Sequence, residues 1–415
     1  MGKKILIISP VPVFPWHAGN RMRIKSICDA LITRGCELDF FYIGFDEKLS
    51  ENHYTFFNGQ VLDHLIDDTT TNFVKEPVLR IQEIVNGLKT RAGYFQRRLK
   101  YGEDSARFNK SLSEFKSIKK QRLLKEQIQK NIYDGVLLNY TVYSHLFDLF
   151  DDNVIKIIDT HDRLSDRYTL FLEEGVEPVI WKSISSADEK KSLSKADVIL
   201  AITQKEAEYF RELIKVSKPD ILTVTHLSPY DEVPLSAGRS GKTIITVGGK
   251  SEINLNGLNW FLDKVWRHIT KKFNDAELLV AGSLCEQSSA FVYNENVTLL
   301  GRFDSTHEVY DKAGLCVNPI QFGTGLKIKT IEALSSGKKI ITTKEGASGL
   351  ERFIGKGLVM SDSPEEWVRE ISSHFECEEN TADFKETLKA EVHKYNEEAF
   401  RNIYKAVQLE TETLS

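Results

Sequence analysis

The stretch Leu315-Cys-Val-Asn-Pro319-Ile-Gln-Phe-Gly323-Thr-Gly325-Leu-Lys327-Ile-Lys329-Thr-Ile-Glu332-Ala-Leu-Ser-Ser-Gly337-Lys-Lys339-Ile-Ile-Thr-Thr343 reads as strand, glycine turn, helix and strand in succession. Leu315–Pro319 and Lys339–Thr343 are short apolar runs of strand length, Lys327–Ser336 has the length of a helix, and Gly337 ends it. Strands joined through a helix run parallel, so the segment predicts an α/β layer. Within it, Gly323 and Gly325 let backbone N–H groups approach a ligand, and the helix start turns its positive end toward whatever sits there. A diphosphate suits that end, with Lys327 and Lys329 adding charge and Glu332 accepting hydrogen bonds from ribose or sugar hydroxyls. The plainer alternative is a glycine loop, a helix with solvated lysines and an exposed glutamate.

The same rhythm extends outward. Upstream lie a strand at Thr243–Val247, a helix at Gly257–Phe273, strands at Glu277–Ala281 and Val297–Leu300, and a helix at His307–Ala313. Nearer the N-terminus, Ile5–Ile8, a helix from about Asn20 to Thr33 stopped by Arg34-Gly35, and Glu37–Ile43 give a second strand, helix and strand. Further strands follow at Gly135–Leu138, Ile155–Ile158 and Val198–Ile202. Between the halves, Pro219, Pro229, Pro234 and Ser236-Ala-Gly238-Arg-Ser-Gly241 form the best linker. The expected division is 1–230, 242–392 and a C-terminal helix, 393–415, that crosses back to the first domain.

At 415 residues the chain exceeds one ordinary core, which agrees with two domains. A net charge of -5 speaks against general nucleic-acid binding. Five cysteines, Cys28, Cys36, Cys285, Cys316 and Cys377, stand apart without C-x-x-C spacing, which fits neither a disulfide framework nor a zinc site and suits a reducing cytoplasm. Only five apolar or small residues follow Lys4 before Pro10, and no run approaches the ~20 apolar residues of a membrane helix. Charge is unevenly placed: residues 89–130 carry 13 Lys and Arg against 4 acids, and residues 362–412 carry 14 acids against 6 Lys and Arg. The basic stretch, with Tyr94, Phe95, Leu99, Tyr101, Phe108, Leu112 and Phe115 among its charges, could lie on an anionic membrane or hold a lipid-diphosphate acceptor. It is equally compatible with helices whose charged faces are solvated.

Val317-Asn-Pro319, Gly323-Thr-Gly325-Leu-Lys-Ile-Lys329, Glu332-Ala333, Gly337, Ile340-Ile-Thr342 and Gly346-x-x-Gly349-Leu350 together resemble the donor-site block of family 4 glycosyltransferases. Thr246-Val-Gly248, Asn254, Trp260-Phe261, Leu278–Gly282 and Val297-x-x-Leu-Gly301 extend that resemblance upstream, in order, over about 110 residues in all. The resemblance implies two Rossmann-like domains in the GT-B arrangement, facing across a cleft, with acceptor in the first and nucleotide-sugar in the second. It implies a retaining transfer of a hexose from a nucleoside diphosphate sugar to a hydroxyl of a glycan or lipid-linked acceptor, without essential metal or cofactor. Donor contacts then fall to Gly19, Arg21, Gly248, Lys250, Gly323, Thr324, Gly325, Leu326, Lys327, Lys329 and Glu332. Two departures stand out. Thr324 occupies the position of a glutamate eight residues before Glu332, and Lys250 is the lone nearby candidate for the family's Arg and Lys pair.

In the first half, His17-Ala-Gly19-Asn20-Arg21 follows the first strand, where similar enzymes keep a glycine loop near acceptor and donor phosphate. Gly19 easing a turn and Arg21 standing in solvent is the other reading. Asp159-Thr-His161-Asp162-Arg163 follows the strand Ile155–Ile158 at its carboxyl end, where open α/β sheets place ligands. His161 is expected to face the sugar or departing phosphate, with His17, Asp162 and Arg163 toward the acceptor. Asp162 also reads as a helix cap. Asp159 and Asp162 as metal ligands would suit a GT-A enzyme instead. Ser194–Glu206 is given a fold role. The expected setting is surface polysaccharide synthesis in the cytoplasm, peripheral to the membrane. The alternative function is an inactive GT-B-shaped accessory or binding subunit, which Thr324 favours.

Overall fold

The computed structural model describes residues 2–15, 18–44, 48–63, 98–99, 102–178, 183–216, 218–232, 241–290, 296–303, 305–376 and 382–409. They form two compact units: Met1–Val224 with Phe400–Ser415, and Thr225–Ala399.

The first unit holds β1 (Lys4–Ser9), α1 (Gly19–Thr33), β2 (Glu37–Tyr42), β3 (Val61–Asp63), α2 (Ile118–Lys130), β4 (Gly135–Asn139), β5 (Ile155–Asp159), α3 (Ser186–Leu193), β6 (Val198–Ala201), α4 (Gln204–Ile214) and β7 (Asp220–Thr223). The sheet runs β3-β2-β1-β4-β5-β6-β7, and every pair is parallel. Gly-Val-Leu-Leu-Asn of β4 is buried throughout, because helices cover both faces of a parallel sheet. Strands β3 and β7 have no counterpart in the sequence reading. At three and four residues with one or two apolar positions, Val-Leu-Asp and Asp-Ile-Leu-Thr give too little periodicity to register.

The second unit holds β8 (Thr243–Val247), α5 (Glu252–Phe261), β9 (Glu277–Ala281), β10 (Val297–Gly301), β11 (Leu315–Asn318), α6 (Ile328–Ser335), β12 (Lys339–Thr342), β13 (Leu358–Met360), α7 (Pro364–Glu376) and α8 (Ala382–Ala406), whose last residues belong to the first unit. Its sheet is β10-β9-β8-β11-β12-β13, again parallel. Helix α5 begins five residues before the expected Gly257, since Ser251 Oγ accepts the Asn254 N–H and caps it. It continues through a π turn at Leu262–Trp266 into Arg267–Lys272. Gly257 lets it lie against β11, because a Cβ there would stand 2.4 Å from the Pro319 carbonyl oxygen.

Both sheets reverse strand order beside their first strand, between β1 and β4 and between β8 and β11. Those two reversals are where a doubly wound sheet opens a crevice at the strands' carboxyl ends. Two Rossmann-like α/β domains are thus present, as the sequence predicts.

The basic stretch 89–130 is described in part; residues 89–97, 100 and 101 lie outside the described residues. In the remainder, Leu112 and Phe115 pack against the buried group Tyr140, Val142, Leu164 and Ile184, Phe108 stacks on Tyr168, and Lys120 is buried with its ammonium on the Ile43 carbonyl. These apolar side chains serve internal packing. Among the described residues no helix is long and apolar enough to cross a membrane.

Candidate functional site

In the second unit, three loops leave the carboxyl ends of β8, β11 and β12. The β11 turn passes through Gly323 at φ 142° and Gly325 at φ 70°, conformations that glycine adopts without a Cβ clash. Its side chains do different work. Lys327, 11% exposed, donates to the carbonyls of Thr324 (3.0 Å) and Gly325 (3.2 Å) and pairs with Glu345 at 2.8 Å. Its ammonium ties the turn to the β12 loop, so its charge already has Glu345 as a partner. Lys329 reaches the other way, donating to Asn254 Oδ1 at 2.7 Å, while Asn254 Nδ2 donates to the Gly249 carbonyl at 2.7 Å. One asparagine therefore joins the turns after β8 and β11.

Lys329 carries no carboxylate partner at contact distance among the described residues. Burial pulls its ammonium down to about 7, Lys327 pushes the same way, and Glu332 opposes them. Burial likewise raises the Glu332 carboxyl to about 7, with Lys329 pulling it back. A cation and an acid one helical turn apart are thus both held near neutrality, short of compensating partners. A bound anion beside Lys329 would supply one, and a protonated or charged Glu332 can donate to or accept from hydroxyls. The Thr324 hydroxyl oxygen is buried without a hydrogen bond. Beneath the turn, Asn318 donates to Thr330 Oγ1 (2.8 Å), Thr330 donates to the Gly346 carbonyl (3.0 Å), and Thr342 donates to the Asn318 carbonyl (2.7 Å), so β11, α6 and β12 are clamped together. The Asn318 side-chain oxygen is left unpaired. Gly248 fits against Leu284 and Asn254, where a Cβ would come within 3.0 Å of Leu284. Lys250 lies at the rim, 58% exposed and 3.9 Å from Glu286. Leu326 is buried.

In the first unit, Asp159 at the end of β5 is fully buried and takes the guanidinium of Arg23 at 2.7 to 3.0 Å through Nε and Nη2, while Arg23 Nη1 donates to the Val224 carbonyl at 2.7 Å. Burial works against the Asp159 carboxylate, but Arg23 and His161 overcome it and hold the carboxyl below its ordinary range. His161 follows in the left-handed region at φ 59°, with its ring stacked on Tyr140 at 4.2 Å. Its Nε2 lies 2.8 Å from Asn139 Oδ1 and 3.4 Å from Asp159 Oδ2, so this nitrogen carries the proton toward those two oxygens. Tyr140 is held by Asn20 Nδ2 at 3.0 Å. The turn after His161 hangs from two buried carboxylates: Glu189 of α3 accepts from Leu164 N, Ser165 N and Ser165 Oγ, and Glu206 of α4 accepts from Arg163 N.

The sequence reading singled out His161 here but missed Arg23, Asn139 and Tyr140, and gave Asp159 no role beyond a metal reading that the two α/β halves argue against. Asp159 pairs with Arg23, and Asp162 pairs with Arg167 at 3.2 Å. Among the described residues no group of three His, Cys, Asp or Glu side chains converges. Asp162 caps no helix, because the next one starts at Tyr168 with Arg167 before it. Arg163 lays its guanidinium on the Tyr209 ring at 4.9 Å. Gly19 opens α1, and Arg21 donates to the Phe14 and Pro15 carbonyls at 3.3 Å, bracing the loop before the helix. His17 lies outside the described residues.

With this geometry in view, three comparisons bear on identity. Residues 241–376 match the family "Glycosyl transferases group 1". A 44.6 kDa protein in the cps region of Klebsiella pneumoniae is 24% identical over 392 residues, covering 89% of this chain and 90% of that protein. A TarM variant of S. aureus, solved with fondaparinux, alpha-GlcNAc-glycerol and UDP, superposes with a TM-score of 0.63 at 12% identity over 98% of this chain and 99% of that one. HepE of Anabaena, solved with UDP and glucose, gives 0.62 at 12% identity over 98% and 97%. The chain has the GT-B fold, and its second unit is similar in sequence to group 1 glycosyl transferases, which together support a glycosyltransferase.

Proposed function

We propose that the protein transfers a sugar, of hexose type, from a nucleoside diphosphate donor to a hydroxyl of a glycan or lipid-linked acceptor in surface polysaccharide synthesis, with retention at the anomeric carbon. The observation that carries this reading is Lys329: a largely buried ammonium that among the described residues donates to a neutral amide, beside the start of α6 and the two-glycine turn. Such a group favours an arriving diphosphate, whose charge restores the ammonium and meets the helix's positive end. As the bond from the anomeric carbon to the β-phosphate oxygen lengthens, negative charge grows on the leaving nucleoside diphosphate, and Lys329 with the turn's N–H groups stabilises it. The acceptor oxygen bonds to the anomeric carbon on the face the diphosphate leaves, and its proton passes to the departing phosphate oxygen. His161 and Glu332 orient the sugar's hydroxyls. No metal or cofactor enters this scheme. The location in the cps region of the Klebsiella relative supports the polysaccharide setting, and UDP in the TarM and HepE complexes supports the donor class. In this reading the protein sits in the cytoplasm, peripheral to the inner face of the cell membrane.

Thr324 favours a second reading, an inactive GT-B-shaped accessory subunit, since no acid stands at that position of the turn. Incubation of the purified chain with UDP-, GDP- and dTDP-sugars separates the two. Slow release of one nucleoside diphosphate, accelerated by acceptor glycan, supports transfer; donor binding without any release supports the accessory role.

A further inference from the structure

A cavity of about 200 Å³ in the first unit is lined by none of the residues placed above at the candidate site. Three separate segments build it: Ser111 to Lys116, Val142 to His145, and α3 with the residues just after it, Asp188 to Lys195. Three lysines line it, Lys116, Lys191 and Lys195, the first two exposed. Lys195 pairs with Asp148 at 2.6 Å, whereas Lys116 and Lys191 make no ion pair among the described residues. Asp188 is the one carboxylate in the lining, so with Asp148 two acids stand against three ammonium groups. The hydroxyls of Ser111 and Ser113 lie 2.9 Å apart, so one donates to the other, and the remaining hydroxyl and that of Ser144 can donate to a ligand. His145 Nδ1 is buried here and makes no hydrogen bond among the described residues.

We propose that this cavity is a binding site for a phosphate-class oxyanion, either free phosphate or the phosphate of a mono- or diester. A tetrahedral anion offers acceptor oxygens in several directions, and donors converge on the cavity from three segments of chain; a planar carboxylate would use fewer of them. The excess of lysines over acids gives the anion its affinity, and protonation of the neighbouring His145 ring would add to it. The surroundings of His145 agree. Burial pulls it down to about 4, with Lys116 and Lys195 pushing the same way and the Val142 backbone and Asp148 opposing. The walls also back onto the His161 turn: residues 141–149 follow Tyr140, which stacks on His161, and α3 carries Glu189, which holds Leu164 and Ser165. The proposal does not depend on what the second unit binds.

The test follows histidine ¹⁵N resonances of the full chain, with His145 assigned through His145→Gln, during titration with inorganic phosphate at constant ionic strength. The expected result is a saturable shift of His145 and a rise of its titration midpoint by about one unit or more from its ligand-free value. The double variant Lys116→Ala, Lys191→Ala should weaken half-saturation about tenfold while keeping its circular dichroism. An unmoved His145 resonance at phosphate saturation, or a double variant that titrates like the parent, overturns the proposal. Sedimentation with phosphatidylcholine vesicles, with and without phosphatidic acid, separates the sources. Binding confined to the acidic vesicles and lost in the double variant supports a lipid headgroup; a phosphate response without vesicle binding supports a soluble phosphoester.

Discussion

The turn after β5 and the turn after β11 both leave the carboxyl end of a parallel strand, β11 beside the reversal of strand order and β5 one strand removed from it, yet they treat charge in opposite ways. In the first unit Arg23 and Asp159 neutralise each other through three short hydrogen bonds, and His161 is fixed by stacking and by Asn139. In the second, Lys329 rests on a neutral amide and Glu332 has no partner at contact distance among the described residues, so both are drawn toward neutrality. The first arrangement is complete in itself and builds a rigid mount. The second is incomplete without an anion, and incompleteness of that kind marks a binding site.

The sharpest way to break this contrast is to remove one cation from each turn. Arg23→Ala leaves the buried Asp159 carboxylate without its guanidinium, with His161 still 3.4 Å away, and should cost about 3–5 kcal/mol, read as a lower denaturant midpoint. Lys329→Met removes a buried cation that nothing neutralises, and is expected to keep or raise the midpoint. Equal losses in the two variants would erase the distinction. On activity the order reverses: Lys329→Met should lower kcat/KM for donor consumption about 100-fold, the scale of losing one charged donor to a developing oxyanion. A smaller effect sharpens the division of labour between the two lysines. Glu345→Gln removes the anchor of Lys327 at 2.8 Å and should loosen the turn, raising KM for the donor a few-fold, about 1 kcal/mol, with kcat little changed. A kcat loss as large as that of Lys329→Met would place Lys327 in contact with the reacting diphosphate.

The contrast also governs how much the sequence reveals. Nearly everything in the β11 turn is contiguous, from Gly323 to Glu332, so glycine spacing, lysines and helix start are visible in ten residues. What stays hidden is direction: Lys327 and Lys329 look alike on paper, and only packing sends one to Glu345 and the other to Asn254. In the first unit the mount is assembled from Asn20, Arg23, Asn139, Tyr140 and Asp159, which are up to 139 residues apart. His161 could be found from its place after a strand, but Arg23 reads locally as one more charge on an amphipathic helix, and its burial at 1% exposure is set by β5. The alternation of strands and helices was legible because parallel strands are apolar on both faces. Short edge strands such as Val61–Asp63 and Leu358–Met360 were not, since three residues carry no periodicity.

The claim on which the rest depends is that Lys329 meets a diphosphate, and proton linkage tests it most directly. Its folded-state value lies near 7, below the ordinary 10.5, so above pH 7 the ligand-free ammonium is largely deprotonated. An anion binding there must raise that value and draw a proton from solvent, and affinity must fall as pH climbs above 7. Calorimetric titration of the nucleoside diphosphate at pH 8, in two buffers of different ionisation enthalpy, should report uptake approaching one proton in the parent protein and close to none in Lys329→Met. Tight binding with the same proton count in both proteins, or no binding of UDP, GDP or dTDP at all, would contradict the account.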